Sequence, residues 1–125
     1  MSPRVLVVDD DTAVRRTLVN TMTRCGYVAA SASDVAAALV LVASEELDVV
    51  LCDFHVGLES GLDVVRACRA RHGQNLFIAM LTGEDDDETR AAAAAAGADL
   101  LLAKPVSPAE LRAHVGQALA NRRAA

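Results

Sequence analysis

Four short apolar runs constrain this chain more than any other feature: Val5–Val8, Val49–Cys52, Phe77–Leu81 and Leu100–Ala103. Each is too short for a helix and stops on a polar residue that a buried strand does not need. The first runs into Asp9-Asp10-Asp11, the second into Asp53, the third into Thr82 and the fourth into Lys104-Pro105. Continuous rather than alternating apolarity marks strands covered on both faces, as in a parallel sheet. Hydrophobic residues make up 53% of the 125, with no Trp, one Tyr and two Phe, so the core they predict is aliphatic. The length predicts one domain over residues 1–125, with a core at about 4–121.

Helical spacing fills the intervals. After a first strand at about residues 4–8, Val14, Leu18, Met22 and Cys25 share one face, and Gly26 is a natural stop. Asp11 or Thr12 is placed to cap that helix. A weaker strand follows at Tyr27–Ala30, then Ser33 as cap of a second helix with Val35, Leu39 and Val42 inward. After Val49–Cys52, a loop bearing Gly57 and Gly61 leads to a helix with Leu62, Val65 and Cys68 inward. A fourth strand, Leu76–Leu81, meets a polar turn from Gly83 to Glu88, and a helix runs through Ala91–Ala96 to Gly97. Asp85–Asp87 favour that helix's amino terminus, and the alanine run predicts a plain packed face. A fifth strand at about Asp99–Ala103 precedes Ser107-Pro108-Ala109-Glu110: cap, first-turn proline and third-position glutamate, with Leu111, Val115 and Leu119 as the buried stripe.

Strict strand–helix alternation implies right-handed crossovers. The predicted fold is α/β: a doubly wound five-stranded parallel sheet, flavodoxin-like order 2-1-3-4-5, with helices on both faces. In that order strands one and three are neighbours, and a crevice opens at their carboxyl ends. Asp9, Asp10 and Asp53 fall at the crevice, flanked by Thr82 and Lys104.

A net charge of −5 argues against unassisted binding to nucleic acid or an anionic membrane. Cys25, Cys52 and Cys68 form no CxxC pair and lie in apolar patterns, so they read as reduced core thiols. His55, His72 and His114 lack zinc-site spacing, and neither GxGxxG nor GxxxxGK[ST] occurs. No run reaches membrane-spanning length and no signal-peptide core opens the chain, which predicts a cytoplasmic location.

The residue types at the crevice suit phosphoryl chemistry. An aspartate can accept a phosphoryl group as an acyl phosphate, but two anions must then meet. A divalent cation removes that obstacle, and magnesium takes one or two protein carboxylates beside phosphate oxygens and water. Asp10, Asp53 and the backbone carbonyl of His55 can supply direct ligands, with Asp9 acting through water. Lys104 can set a point charge on a phosphoryl oxygen, and Thr82 can donate a hydrogen bond to another.

The ordered set, an acidic pair after strand one, Asp53 after strand three, Thr82 followed by small Gly83, and Lys104-Pro105, resembles the response regulator receiver domain family of two-component signalling, from about Arg4 to Asn121. The resemblance implies a chemotaxis-regulator-like receiver in which Asp53 is the phosphoacceptor. A phosphohistidine on a sensor histidine kinase or phosphotransfer protein would be the donor. It further implies Mg²⁺ dependence, slow self-dephosphorylation, and a signalling surface on helix four, strand five and helix five that acts on a downstream protein or an attached effector. The same face would serve a homodimer. Such a protein is a phosphoprotein switch rather than an enzyme, with only self-phosphorylation and self-dephosphorylation chemistry.

Three positions depart from the family or tune it. Val56-Gly57 stands where a Met-Pro-like pair is usual, which predicts a less rigid loop. Leu101, three residues before Lys104, stands where a switch aromatic is common, which predicts weaker or rerouted output. With the Lys-Pro-Val that follows, it is similar to receivers attached to hybrid histidine kinases, so an excised receiver of such a kinase or of a larger regulator is an alternative. Glu84, two past Thr82, is placed to modulate access of water to an acyl phosphate, whereas the His55 side chain is expected to be exposed.

Two other classes make distinct demands. A phosphohydrolase with an aspartyl nucleophile needs a second acid two residues on, where this chain has His55. An interaction module that works without phosphorylation, which Leu101 would suit, would bind partners indifferently to a phosphoryl mimic.

Overall fold

In the computed structural model, which describes residues 2–124, five strands form one sheet: β1 (Arg4–Val8), β2 (Val28–Ala32), β3 (Val49–Asp53), β4 (Phe77–Thr82) and β5 (Leu100–Ala103). All pair in parallel, in the order β2-β1-β3-β4-β5, the doubly wound arrangement expected from the alternation. The connections carry α1 (Thr12–Arg24), α2 (Val35–Ser44), α3 (Leu62–His72) and α4 (Asp87–Ala96), and α5 (Pro108–Ala124) follows β5. A two-residue antiparallel ribbon pairs His55–Val56 with Glu59–Ser60 between β3 and α3.

The pleat divides the apolar runs between two cores, because successive side chains leave a strand on opposite faces. Val5, Val7, Val49, Leu51, Ala79 and Leu81 pack with Leu18 and Met22 of α1 and Leu111, Val115 and Leu119 of α5. Leu6, Val8, Val50, Cys52, Ile78 and Met80 pack on the other face with residues of α2, α3 and α4. Burying each Val or Leu side chain is worth about 1.5–3 kcal/mol, so these runs are the main apolar contribution to the fold.

Local signals set the helix ends. Asp11 caps α1, its Oδ1 accepting from the Val14 N–H at 3.0 Å. Ser107 caps α5, its hydroxyl accepting from Glu110 N–H at 3.0 Å. Gly97 closes α4 at φ +113°, a left-handed conformation that L side chains resist.

Four details correct the sequence-based expectations. The cap of α2 is Asp34, not Ser33: its Oδ1 accepts from Ala37 N–H at 2.7 Å. The strand before it runs over Val28–Ala32 rather than Tyr27–Ala30, since β1 pairs with it as far as Val8↔Ala32 while Tyr27 N–H closes onto the Met22 carbonyl. Leu39 is 38% exposed, and the inward face of α2 is Val35, Ala38 and Val42. On α3, Val64 joins Val65 and Cys68 in the core, and Leu62 is only partly buried.

Candidate functional site

Asp53 and Thr82 are the last residues of β3 and β4, while Asp9 and Lys104 directly follow β1 and β5. Strand parity sorts them further. Asp53 continues the face of Val49 and Leu51, whereas Thr82 continues the face of Ile78 and Met80. Lys104 Nζ accordingly reaches Asp9 Oδ2 and Asp53 Oδ2, at 3.1 Å each, and joins the acids of two strands. Its backbone is fixed by a 2.8 Å bond from Lys104 N–H to the Thr82 carbonyl, ahead of a cis peptide to Pro105.

Asp9 is fully buried, Asp53 is 8% exposed, and Asp10 is exposed. Their ligand oxygens all lie within 4.8 Å of one another. With the three carboxylates ionised, −3 against the +1 of Lys104 leaves two negative charges in one crevice. Oxygen donors, a doubly negative balance and one solvent-facing member suit a hard divalent cation such as magnesium or calcium.

Burial pushes the Asp53 carboxyl above its ordinary value, and the nearby Asp9 charge adds to this; Lys104 and the His55 amide pull the other way without cancelling it. Burial is also the largest influence on the Lys104 ammonium, and it opposes the charge. Hydrogen bonds and charges from Asp53 and Asp9 together outweigh it, so the ammonium is held above its ordinary value. The buried Cys52 thiol, next to Asp53, is pushed far up by burial and stays neutral.

Thr82 is 1% exposed and is engaged within its own turn. Its hydroxyl donates to the Glu84 carbonyl at 3.1 Å and accepts from Glu84 N–H at 3.0 Å, across Gly83. The His55 amide points to Asp53 Oδ1 at 3.4 Å, and its exposed ring meets Phe54 edge-on at a centroid distance of 5.0 Å. Leu101 pairs with Met80 and is buried in the core beneath α3 and α4, on the face that Thr82 shares. The sequence-predicted Asp9, Asp53 and Lys104 therefore meet directly, Asp10 joins them at the surface, and Thr82 stands beside them, turned to Glu84.

Two residues of the site escaped the sequence reading. Gly61, read only as a loop glycine, packs so closely on Asp53 that a Cβ there would lie 2.0 Å from the Asp53 carbonyl oxygen. Arg15 donates from Nη1 to the Asp9 carbonyl at 2.9 Å. Both contacts close short stretches of chain, six residues apart for Arg15 and eight for Gly61, but no motif or spacing rule marks them.

Comparisons with known proteins agree with this geometry. The family model described as the response regulator receiver domain matches residues 5–116. Response regulator MprA of Mycobacterium ulcerans is 40% identical over 115 residues, covering 92% of this chain and 49% of that protein, so the chain spans about half the length of such relatives. A response regulator protein from Burkholderia pseudomallei, crystallised with a phosphorylated aspartic acid, calcium ion and citrate, superposes with a TM-score of 0.84 at 28% identity, over 96% of this chain and 72% of that one. A CheY-like receiver domain protein from Methanospirillum hungatei reaches 0.92 at 24% identity over 98% of both chains, a likeness of fold alone. The chain belongs to the response regulator receiver domain family of two-component signalling.

Proposed function

We propose that Asp53 accepts a phosphoryl group from a phosphohistidine of a sensor histidine kinase or phosphotransfer protein. A carboxylate oxygen of Asp53 attacks phosphorus and the phosphorus–nitrogen bond breaks. The electron pair stays on the ring, which leaves as neutral imidazole when its other nitrogen carries a proton. The observation that carries this reading is the convergence on Asp53 of Lys104 Nζ at 3.1 Å and two further carboxylates within 4.8 Å.

Asp10, Asp53 and the His55 carbonyl are the residues that would hold Mg²⁺, which when bound neutralises phosphoryl oxygens. Both oxygens of Asp9 already accept hydrogen bonds, from Asp11 N–H and Lys104, which favours its acting through water. Lys104 places its charge on the incoming group. Thr82, released from Glu84, donates to a second phosphoryl oxygen, while Glu84 and Gly83 govern the approach of water. The receiver unit spans residues 1–125 with a core at about 4–121.

Phosphorylation then shifts a two-state equilibrium at the α4–β5–α5 face, toward a downstream protein, an attached effector or a second copy. Leu101, apolar and buried, can report on Thr82 only by packing. Among the described residues no helix is long and apolar enough to cross a membrane, and we place this chemistry in the cytoplasm. The test is incubation with acetyl phosphate and Mg²⁺. One hydroxylamine-sensitive phosphoryl group per chain is expected in the parent protein and none in Asp53→Asn; equal labelling of the variant would refute the assignment.

A further inference from the structure

We infer that Arg15 is a positioning residue for the cation site, one that sets its most exposed ligand, Asp10, through the backbone on either side. The inference rests on the cation-binding reading of Asp9, Asp10 and Asp53. Asp9 needs no help in orienting its carboxylate. Its N–H donates to the Ala32 carbonyl at 3.2 Å, its Oδ1 accepts from Asp11 N–H at 2.9 Å, and its Oδ2 accepts from Lys104. Asp10 has no such anchors. It is exposed, and among the described residues no protein group donates to its carboxylate.

The direction of the Asp10 side chain is therefore set by the backbone around it, and Arg15 bonds the carbonyl of the residue on each side, Asp9 and Asp11. Its guanidinium Nη1 donates to the Asp9 carbonyl at 2.9 Å, and its backbone N–H donates to the Asp11 carbonyl at 2.9 Å. The second bond is part of α1 and survives any substitution but proline. The first exists only because a fork-shaped cation reaches back from the first turn of α1 to the residue that directly follows β1. Nη2 also lies 3.5 Å from Thr12 Oγ1, which aligns the fork with the helix start.

This role opposes simple electrostatics, and the opposition makes it testable. The guanidinium carries its charge to the Asp9 carbonyl, next to the cluster, and that charge repels Mg²⁺, so deleting the charge alone tightens the site. Deleting a clamp that orients a ligand loosens it, by about tenfold for ligand-supporting groups elsewhere. Arg16 is the charge-matched control: it is exposed on the same helix, and among the described residues it makes no side-chain hydrogen bond.

The experiment titrates MgCl₂ into the parent protein, Arg15→Ala and Arg16→Ala. It follows the backbone amide resonances of residues 9–11, which report only folded molecules. We expect the Mg²⁺ dissociation constant to rise about tenfold in Arg15→Ala and to stay level or fall slightly in Arg16→Ala. Arg15→Ala binding as tightly as the parent or more tightly overturns the clamp and leaves the cation site standing, as does equal weakening in both variants. A parent protein whose resonances do not respond to Mg²⁺ overturns both.

Discussion

The two edges of the sheet use the same side-chain types to opposite ends. At the amino-terminal edge Arg69, Asp99 and Asp48 are closed onto partners. Arg69 donates to the carbonyls of Gly73, Leu76 and Gly97 and to Asp99 Oδ2, which also accepts Ile78 N–H at 2.8 Å. Asp48 accepts from Arg4 N–H at 2.8 Å and from Arg122 at 3.2 Å. At the carboxyl-terminal edge three carboxylates share one ammonium, and Asp53 is pushed toward protonation. One edge is a finished structural joint. The other is left short of positive charge, which is the condition a cation and a phosphoryl group can relieve.

The contrast breaks if deleting charges costs the same at both edges. The largest effect belongs to Arg69→Ala. Its side chain is only 11% exposed, and the loss strands several acceptors, so urea denaturation is expected to show a drop of about 3 kcal/mol. Phosphoryl uptake per folded molecule is expected to stay unchanged.

Mg²⁺ sharpens the contrast from the ligand side. At ten times its dissociation constant it stabilises the parent by about 1.4 kcal/mol, seen as a raised melting temperature. Asp10→Asn is expected to lose most of that increment, and Arg69→Ala none of it.

Asp53→Asn is expected to have the opposite sign to Arg69→Ala, a gain in stability at pH 7 seen by the same denaturation. The Asp53 pKa is raised in the folded state, so the native protein holds this proton more tightly than the unfolded chain does. Stability contributed by that proton is fully present below the ordinary carboxylate value and is lost as pH rises through the folded one. The advantage of the variant should therefore shrink to nothing as the solution is acidified; a gain that persists in acid contradicts the account. The smallest effect is Arg122→Ala, which breaks a pair whose two side chains are each 35% exposed and should cost under about 1 kcal/mol by the same denaturation.

How much of this was legible in the sequence follows from how local each signal is. The four apolar runs named the strands, and because the crevice residues stand at their ends, Asp9, Asp10, Asp53, Thr82 and Lys104 could be read from linear order alone. The face of α2 could not: Val35–Ala43 has no polar residue to break the symmetry, so Leu39 and Ala38 exchange places without violating any period. The extent of β2 depends on its pairing with β1, and the cap moved with it from Ser33 to Asp34. Gly61 against Asp53 and Arg69 against Asp99 are contacts between separate elements, which no spacing rule encodes.

The most direct measurement locates the phosphoryl group itself. Borohydride reduces an aspartyl phosphate to homoserine, and peptide mass spectrometry after labelling with acetyl phosphate and Mg²⁺ reads where. The account predicts homoserine at position 53 and at neither 9 nor 10. Homoserine at either of those positions, or a phosphoryl group carried only on histidine, would contradict it.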